Sequence, residues 1–203
     1  MEISGVSNKY AGYIYDSSLK TKRTSNDFSE YMSAASRKAE KQESGDVLGL
    51  TMLKEPGTNC FWGMKAKYAE CSTQDNPVIY VETNYGGKTV SYNVNINEID
   101  PGNASQLEVF ALCSYADDIG IGDGSTFGTY STLRSYKEMA AAHNGYVDSQ
   151  MQEPGGIVQF KNEKLNWVNM CEKVVDLLYK CNDPVQYKKG LNILDLFSKY
   201  PVK

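Results

Sequence analysis

The residues best suited to chemistry are crowded into one stretch, "ADDIGIGDGSTFGTYSTL" at 116–133, where four glycines are interleaved with three aspartates. Glycine-rich loops cradle phosphates when a helix N-terminus or a lysine follows them at fixed spacing. A Walker A loop requires G-x-x-x-x-G-K-[ST], but Phe127 stands five positions after Gly122 and no lysine follows. The dinucleotide fingerprint needs a third glycine where this stretch has Ser125 or, one register on, Phe127. An EF-hand built on Gly124 would put Ile119 and Ile121 at ligand positions, and neither has a side-chain oxygen. All three chemistries are excluded.

Two readings of the stretch survive. Asp117, Asp118 and Asp123 carry oxygens of the kind a hard cation takes, and their like charges require either water or a cation between them. The plainer expectation is a helix-to-helix connector with left-handed glycines. Its aspartates would face water, and Thr129 or Ser131 would cap the next helix. No cofactor is called for.

Nucleophilic catalysis has one thiol–imidazole pair to offer, Cys113 with His143, the only histidine. A catalytic thiolate belongs at a helix N-terminus, whereas Cys113 falls about two turns into an apolar helix. His143 falls near a helix C-terminus, where the macrodipole favours a capping imidazolium over a base. With Asp123 these two residues define an alternative, a hydrolase of unrecognised class with a site at the 117–128 loop near His143. No G-x-S-x-G elbow supports a serine version. Carboxylate pairs exist at Glu98 and Asp100 and at Asp117 and Asp118, without anything to set glycosidase spacing.

Composition narrows the class further. Cys60, Cys71, Cys113, Cys171 and Cys181 are odd in number and show no C-x-x-C spacing. They form neither a disulfide framework nor a zinc site, and read as reduced thiols of a cytoplasmic protein. A net charge of -4 argues against nucleic acid as a partner. The start lacks the basic and apolar regions of a cleavable signal, and no apolar run is long enough to span a membrane. Export on an uncleaved tail is compatible with both observations.

The elements that must position these residues follow from periodicity. Residues 1–45 are rich in Ser, Lys, Thr and Glu and read as a flexible polar tail. Within it, a short amphipathic helix is expected near 27–40, with Phe28, Tyr31, Met32 and Ala35 on one face. Tyr10, Tyr13 and Tyr15 have no local core to join and suit docking on another protein. Residues 47–97 read as an antiparallel sheet. "CFWGMKAKY" alternates, with Trp62, Met64, Ala66 and Tyr68 opposite Lys65 and Lys67. Tyr85-Gly86-Gly87-Lys88 joins two strands as a hairpin, and the second sets Val90, Tyr92, Val94 and Ile96 against Ser91, Asn93, Asn95 and Asn97. The asparagine row invites a sugar- or peptide-binding reading beside that of a plain wet face.

From residue 100 the pattern turns helical. Ser105 and Glu108 have capping-box spacing before a helix that is apolar nearly all round, from Val109 to Cys113. A second helix runs from about Tyr130 to Gly145, a third covers "EKLNWVNMCEKVVDLLYKC", and Asp183-Pro184 opens a fourth. Strands followed by helices predict an α+β domain over 46–203, its sheet packed on C-terminal helices.

"MEISGVSNKYAGY" and "CSYADDIGIGDGSTFGTYSTL" together resemble a family of uncharacterised proteins of gut Firmicutes. The resemblance implies a bacterial protein with a polar tail, and brings no activity, cofactor or catalytic residue. The tail is also loosely similar in composition to export tails of flagellar-type substrates. Taken together, these readings favour a non-enzymatic protein-interaction or structural module whose tail serves partner docking or export.

Overall fold

The computed structural model describes residues 46–54, 61–85, 88–143 and 157–200. The expected tail helix, Tyr10, Tyr13, Tyr15, Phe28, Tyr31 and Met32 lie outside the described residues, as do Cys60, the hairpin glycines and Gly145. The chain divides into units at 1–42 and 43–203, and every described residue belongs to the second.

Four strands pair antiparallel in chain order: β1 (Gly49–Lys54), β2 (Phe61–Tyr68), β3 (Val78–Tyr85) and β4 (Lys88–Asn95). Their pleat follows the alternation read from the sequence. Trp62, Met64, Ala66 and Tyr68 are buried, and their cross-strand partners Thr83, Val81 and Ile79 are buried with them. Tyr92 and Val94 continue this face across β4, opposite Val81 and Ile79. The other face carries Leu50, Met52, Phe61, Lys65 and Lys67 and stays wet or half-exposed. A sheet with one covered and one open face is the result.

A short 3-10 turn at Ile96–Glu98 leads toward α1 (Gln106–Asp118). The capping box forms as its spacing predicts. The Ser105 hydroxyl accepts the Glu108 N–H, while the Glu108 carboxylate accepts the Ser105 N–H at 2.6 Å. Leu107, Val109, Phe110, Ala111, Leu112, Cys113 and Ala116 are all buried, and Glu108 and Tyr115 are half-buried, so α1 is enclosed over most of its surface. The sheet covers one flank of α1, and α2 (Thr129–His143) with α3 (Ile157–Asn162) covers the rest. Phe160 of α3 meets the Trp62 ring edge-on at 5.2 Å. Two more helices, α4 (Trp167–Lys180) and α5 (Pro184–Ser198), pack on each other and on α2. The α+β reading holds.

Two elements depart from expectation. Helix α3 was not anticipated from the sequence. Helix α4 begins at Trp167 instead of Glu163, because Lys164 and Leu165 form a strand, β6, paired with β5 (Ala104–Ser105). The Trp167 indole fixes that pairing by donating to the Ala104 carbonyl at 2.9 Å, while the Asn166 side chain accepts the Asn169 N–H and caps the helix. Lys164 thereby reaches Glu108 and ties β6 to the first turn of α1.

Half-burial pushes the Glu108 carboxyl up, but Lys164 and the two Ser105 bonds outweigh it, and the net pKa is lowered. A lowered folded pKa adds stability that is present above the unfolded value and lost as pH falls through the folded one. Glu108→Gln should therefore melt below wild type at neutral pH, with the gap closing on acidification. Ser105→Ala should cost about 1 kcal/mol in urea unfolding at neutral pH.

Candidate functional site

The glycine loop between α1 and α2 does form a cradle, and it holds a side chain of its own chain. Asp117, in the last turn of α1, accepts the Thr129 N–H at 2.8 Å and the Thr129 hydroxyl at 2.5 Å. Its carboxylate thus caps α2 from across the loop, at the helix end whose dipole favours an anion. The Thr129 oxygen in turn accepts the Asp123 N–H at 2.7 Å, and Asp123 Oδ1 accepts the Ser125 N–H at 2.8 Å. A Cβ at Gly122 would stand 2.0 Å from Asp117 Oδ1, and one at Gly128 would stand 2.8 Å from Oδ2. Gly128 also has φ of +82°, a conformation L side chains avoid. These two glycines exist to admit a carboxylate.

The candidate residues are dispersed by this arrangement. Asp117 and Asp123 meet on Thr129, whereas Asp118 is exposed and accepts the Tyr68 hydroxyl at 2.8 Å. The three aspartates therefore share no common centre, and among the described residues no group of three or more metal-ligating side chains is gathered. Nor do all three face water: only Asp118 does, since Asp123 is 6% exposed and its Oδ2 has no partner among the described residues. Thr129 is the capped residue, and the cap is Asp117. Burial pushes the Asp117 carboxyl up and the charge of Asp123 adds to the rise, against the lowering by both Thr129 bonds.

Cys113 is wholly buried, and burial pushes its thiol well above the usual range, the reverse of an activated nucleophile. His143 is exposed at the far end of the fifteen-residue α2. At 1.5 Å per residue that is about 21 Å from Thr129. Helix geometry thus sets His143 well away from Thr129, where the glycine loop ends. Of the asparagine row, Asn97 donates to the Asp75 carbonyl and Asn95 to Glu98, so two of the three amides brace the turn after β4.

Sequence reasoning missed a cleft of about 710 Å³ beside β1. One wall is the strand itself, from Leu48 to Met52; the other is the glycine loop with Phe127, Ser131 and Arg134. Phe110 and Ser114 of α1 also line it. As β1 is the outer strand of the sheet, one of its edges is unpaired by any other described strand. Arg134 Nη1 donates to the Met52 carbonyl at 3.1 Å, so that carbonyl points away from β2. Strand alternation then turns the N–H of Met52 and both main-chain groups of Leu50 the same way. Leu50 is 70% exposed, Met52 59% and Phe127 87%. The opposite edge strand, β4, is polar along its open face, where Ser91 and Asn93 are exposed. The only trace of the cleft in the sequence is "GLTML", apolar at Leu50 and Met52 as well as at the core position Leu53.

Compared with protein-family models, curated proteins and solved structures, the chain matches none. Among the described residues no helix is long and apolar enough to cross a membrane.

The clasp around Thr129 has measurable consequences. Thr129→Val keeps the shape but removes the hydroxyl, and should cost about 1–3 kcal/mol in chemical denaturation. Gly122→Ala should destabilise by a similar amount, about 1–3 kcal/mol, by displacing the Asp117 carboxylate. A raised folded pKa means the native state holds the Asp117 proton more tightly than the unfolded chain. The stability of wild type relative to Asp117→Asn should accordingly fall as pH rises from below 3.8 through the raised value.

Proposed function

We propose that the chain is a non-enzymatic protein-interaction module whose folded domain takes an extended segment of a partner protein along the free edge of β1. One observation carries this reading. An edge strand with outward-turned main-chain groups and two exposed apolar side chains forms one wall of a cleft. Strand addition obtains affinity from main-chain hydrogen bonds and specificity from alternate side-chain positions, and both are on offer here. Edges not meant for pairing are usually blunted with charge or polarity, as β4 is. Phe127, on the facing wall, supplies an aromatic anchor of the type that dominates binding energy at interfaces. The tyrosines of the N-terminal stretch, Tyr10, Tyr13 and Tyr15, suit a second contact with a partner.

The cleft offers no thiol or imidazole among its described residues, and its one carboxylate, Asp117, is bound to Thr129. That chemistry supports binding more readily than turnover.

Selection of random linear peptides by display, followed by hydrogen exchange, tests the reading. Selected peptides should slow exchange at the Leu50 and Met52 amides, and Leu50→Pro should abolish binding. Leu50's N–H lies on the open side, so proline there spares the β1–β2 ladder and the variant should melt near wild type. Peptides that bind but protect a different surface, or that bind Leu50→Pro unchanged, would overturn it.

A further inference from the structure

Resting on that reading, we infer that Arg134 is a gate on the β1 edge: its guanidinium holds the Met52 carbonyl in the free chain, and a partner segment pairs along β1 by displacing it. Nη1 stands 3.1 Å from the Met52 oxygen. The main-chain N–H of an added strand would come to that same oxygen, with N···O at about 2.9–3.0 Å. Its backbone would run about 4.8 Å from β1. Guanidinium and segment therefore claim the same place at the edge. The arginine reaches it from α2, on the facing wall, so its side chain crosses the cleft. Met52 is the fourth of the six residues of β1. Leu50 and Lys54, whose main-chain groups share the open side, flank it. A segment that pairs with both must run past the guanidinium.

The contact is suited to opening. Its bond is exposed to solvent, so water can serve the donor and the carbonyl while they exchange partners. The carbonyl is not orphaned afterwards, because the incoming amide replaces the donor it loses. Side-chain torsions suffice to withdraw the guanidinium, and the main chain of neither wall has to shift. A closed gate also has a use. Leu50 and Met52 are exposed apolar residues within an edge strand, the pattern that invites indiscriminate pairing. The polar open face of β4 guards its own edge, whereas β1 is guarded by a donor supplied from a helix. Apparent affinity falls by the fraction of chains in which the edge stands open. A segment that meets several β1 positions at once offsets that loss, and one that meets a single position does not.

Fluorescence polarisation and carbonyl NMR on the full-length chain test the gate. The probe is a capped, dye-labelled octapeptide alternating Val with Ser, uncharged so that the arginine's charge does not enter. Arg134→Met should bind it at least about tenfold more tightly than wild type. N-methylation of alternate peptide amides should remove binding to both proteins. Met52–Leu53 is the only Met–Leu pair in the chain, so isotope labels on Met carbonyl carbons and Leu amide nitrogens report the Met52 carbonyl as one signal. That signal should differ between free wild type and free Arg134→Met. With peptide bound the two should coincide, because the same peptide amide then holds the carbonyl in both. Arg134→Gln carries the same expectations should methionine lower the melting temperature. Equal or weaker binding by the variants, or signals that stay apart with peptide bound, would overturn the gate and leave edge pairing standing. Binding to the variants alone would make Arg134 a permanent shield, overturning the gate and the wild-type site together. Failure of every protein to bind would overturn edge pairing and the gate with it.

Discussion

A helix that is apolar nearly all round cannot sit at a surface, and most of this domain is arranged to satisfy α1. The sheet encloses one flank, α2 and α3 the others, and the approach is close. A Cβ at Gly49 of β1 would lie 2.2 Å from the Ser114 oxygen of α1. Enclosure leaves only the two ends of α1 to handle polar groups. At the start, Ser105 and Glu108 satisfy each other's amides and bring in Lys164 from β6. At the finish, successive carboxylates diverge: Asp117 reaches α2 through Thr129 and Asp118 reaches β2 through Tyr68. The buried helix thereby fixes sheet and helical layer to each other by its last turn.

The cleft follows from that last turn. Because Asp117 is the cap of α2, the intervening loop must wrap around its carboxylate, and Gly122 and Gly128 make the wrapping sterically feasible. The same wrap places Asp123 indoors, with one oxygen satisfied by Ser125 and the other without a partner among the described residues. Two carboxylates around one hydroxyl repel, which adds to the upward push that burial gives Asp117. An arrangement with this cost persists because the capping bonds and the helix dipole offset it. Its outer surface, with Phe127 at the tip, then stands facing β1 as the second wall.

Features set by local rules were legible in the sequence. The capping box at Ser105, the Asp183-Pro184 start of α5, the β2 alternation and the β3–β4 hairpin each depend on residues a few positions apart. Features set by tertiary closure were not. Asp117 and Thr129 lie twelve residues apart, and no propensity links them. The glycines read correctly as turn formers, yet Gly122 is needed for the space it leaves and not for a left-handed φ. Lys164 and Leu165 fit the apolar period of the following helix until β5 claims them. Strand order decides whether an apolar β1 is buried or an edge, and sequence spacing carries no record of it.

The edge itself has a chemical bias that the fold creates. Arg134 occupies the Met52 carbonyl, which removes one acceptor from the open side of β1 while leaving its amide donors. What remains on the open side are the N–H groups of Leu50, Met52 and Lys54 and the carbonyls of Leu50 and Lys54. A polar uncharged surface such as that of β4 would satisfy water equally well from either side. The β1 edge instead keeps main-chain groups turned outward beside the exposed side chains of Leu50 and Met52, the combination that strand addition uses.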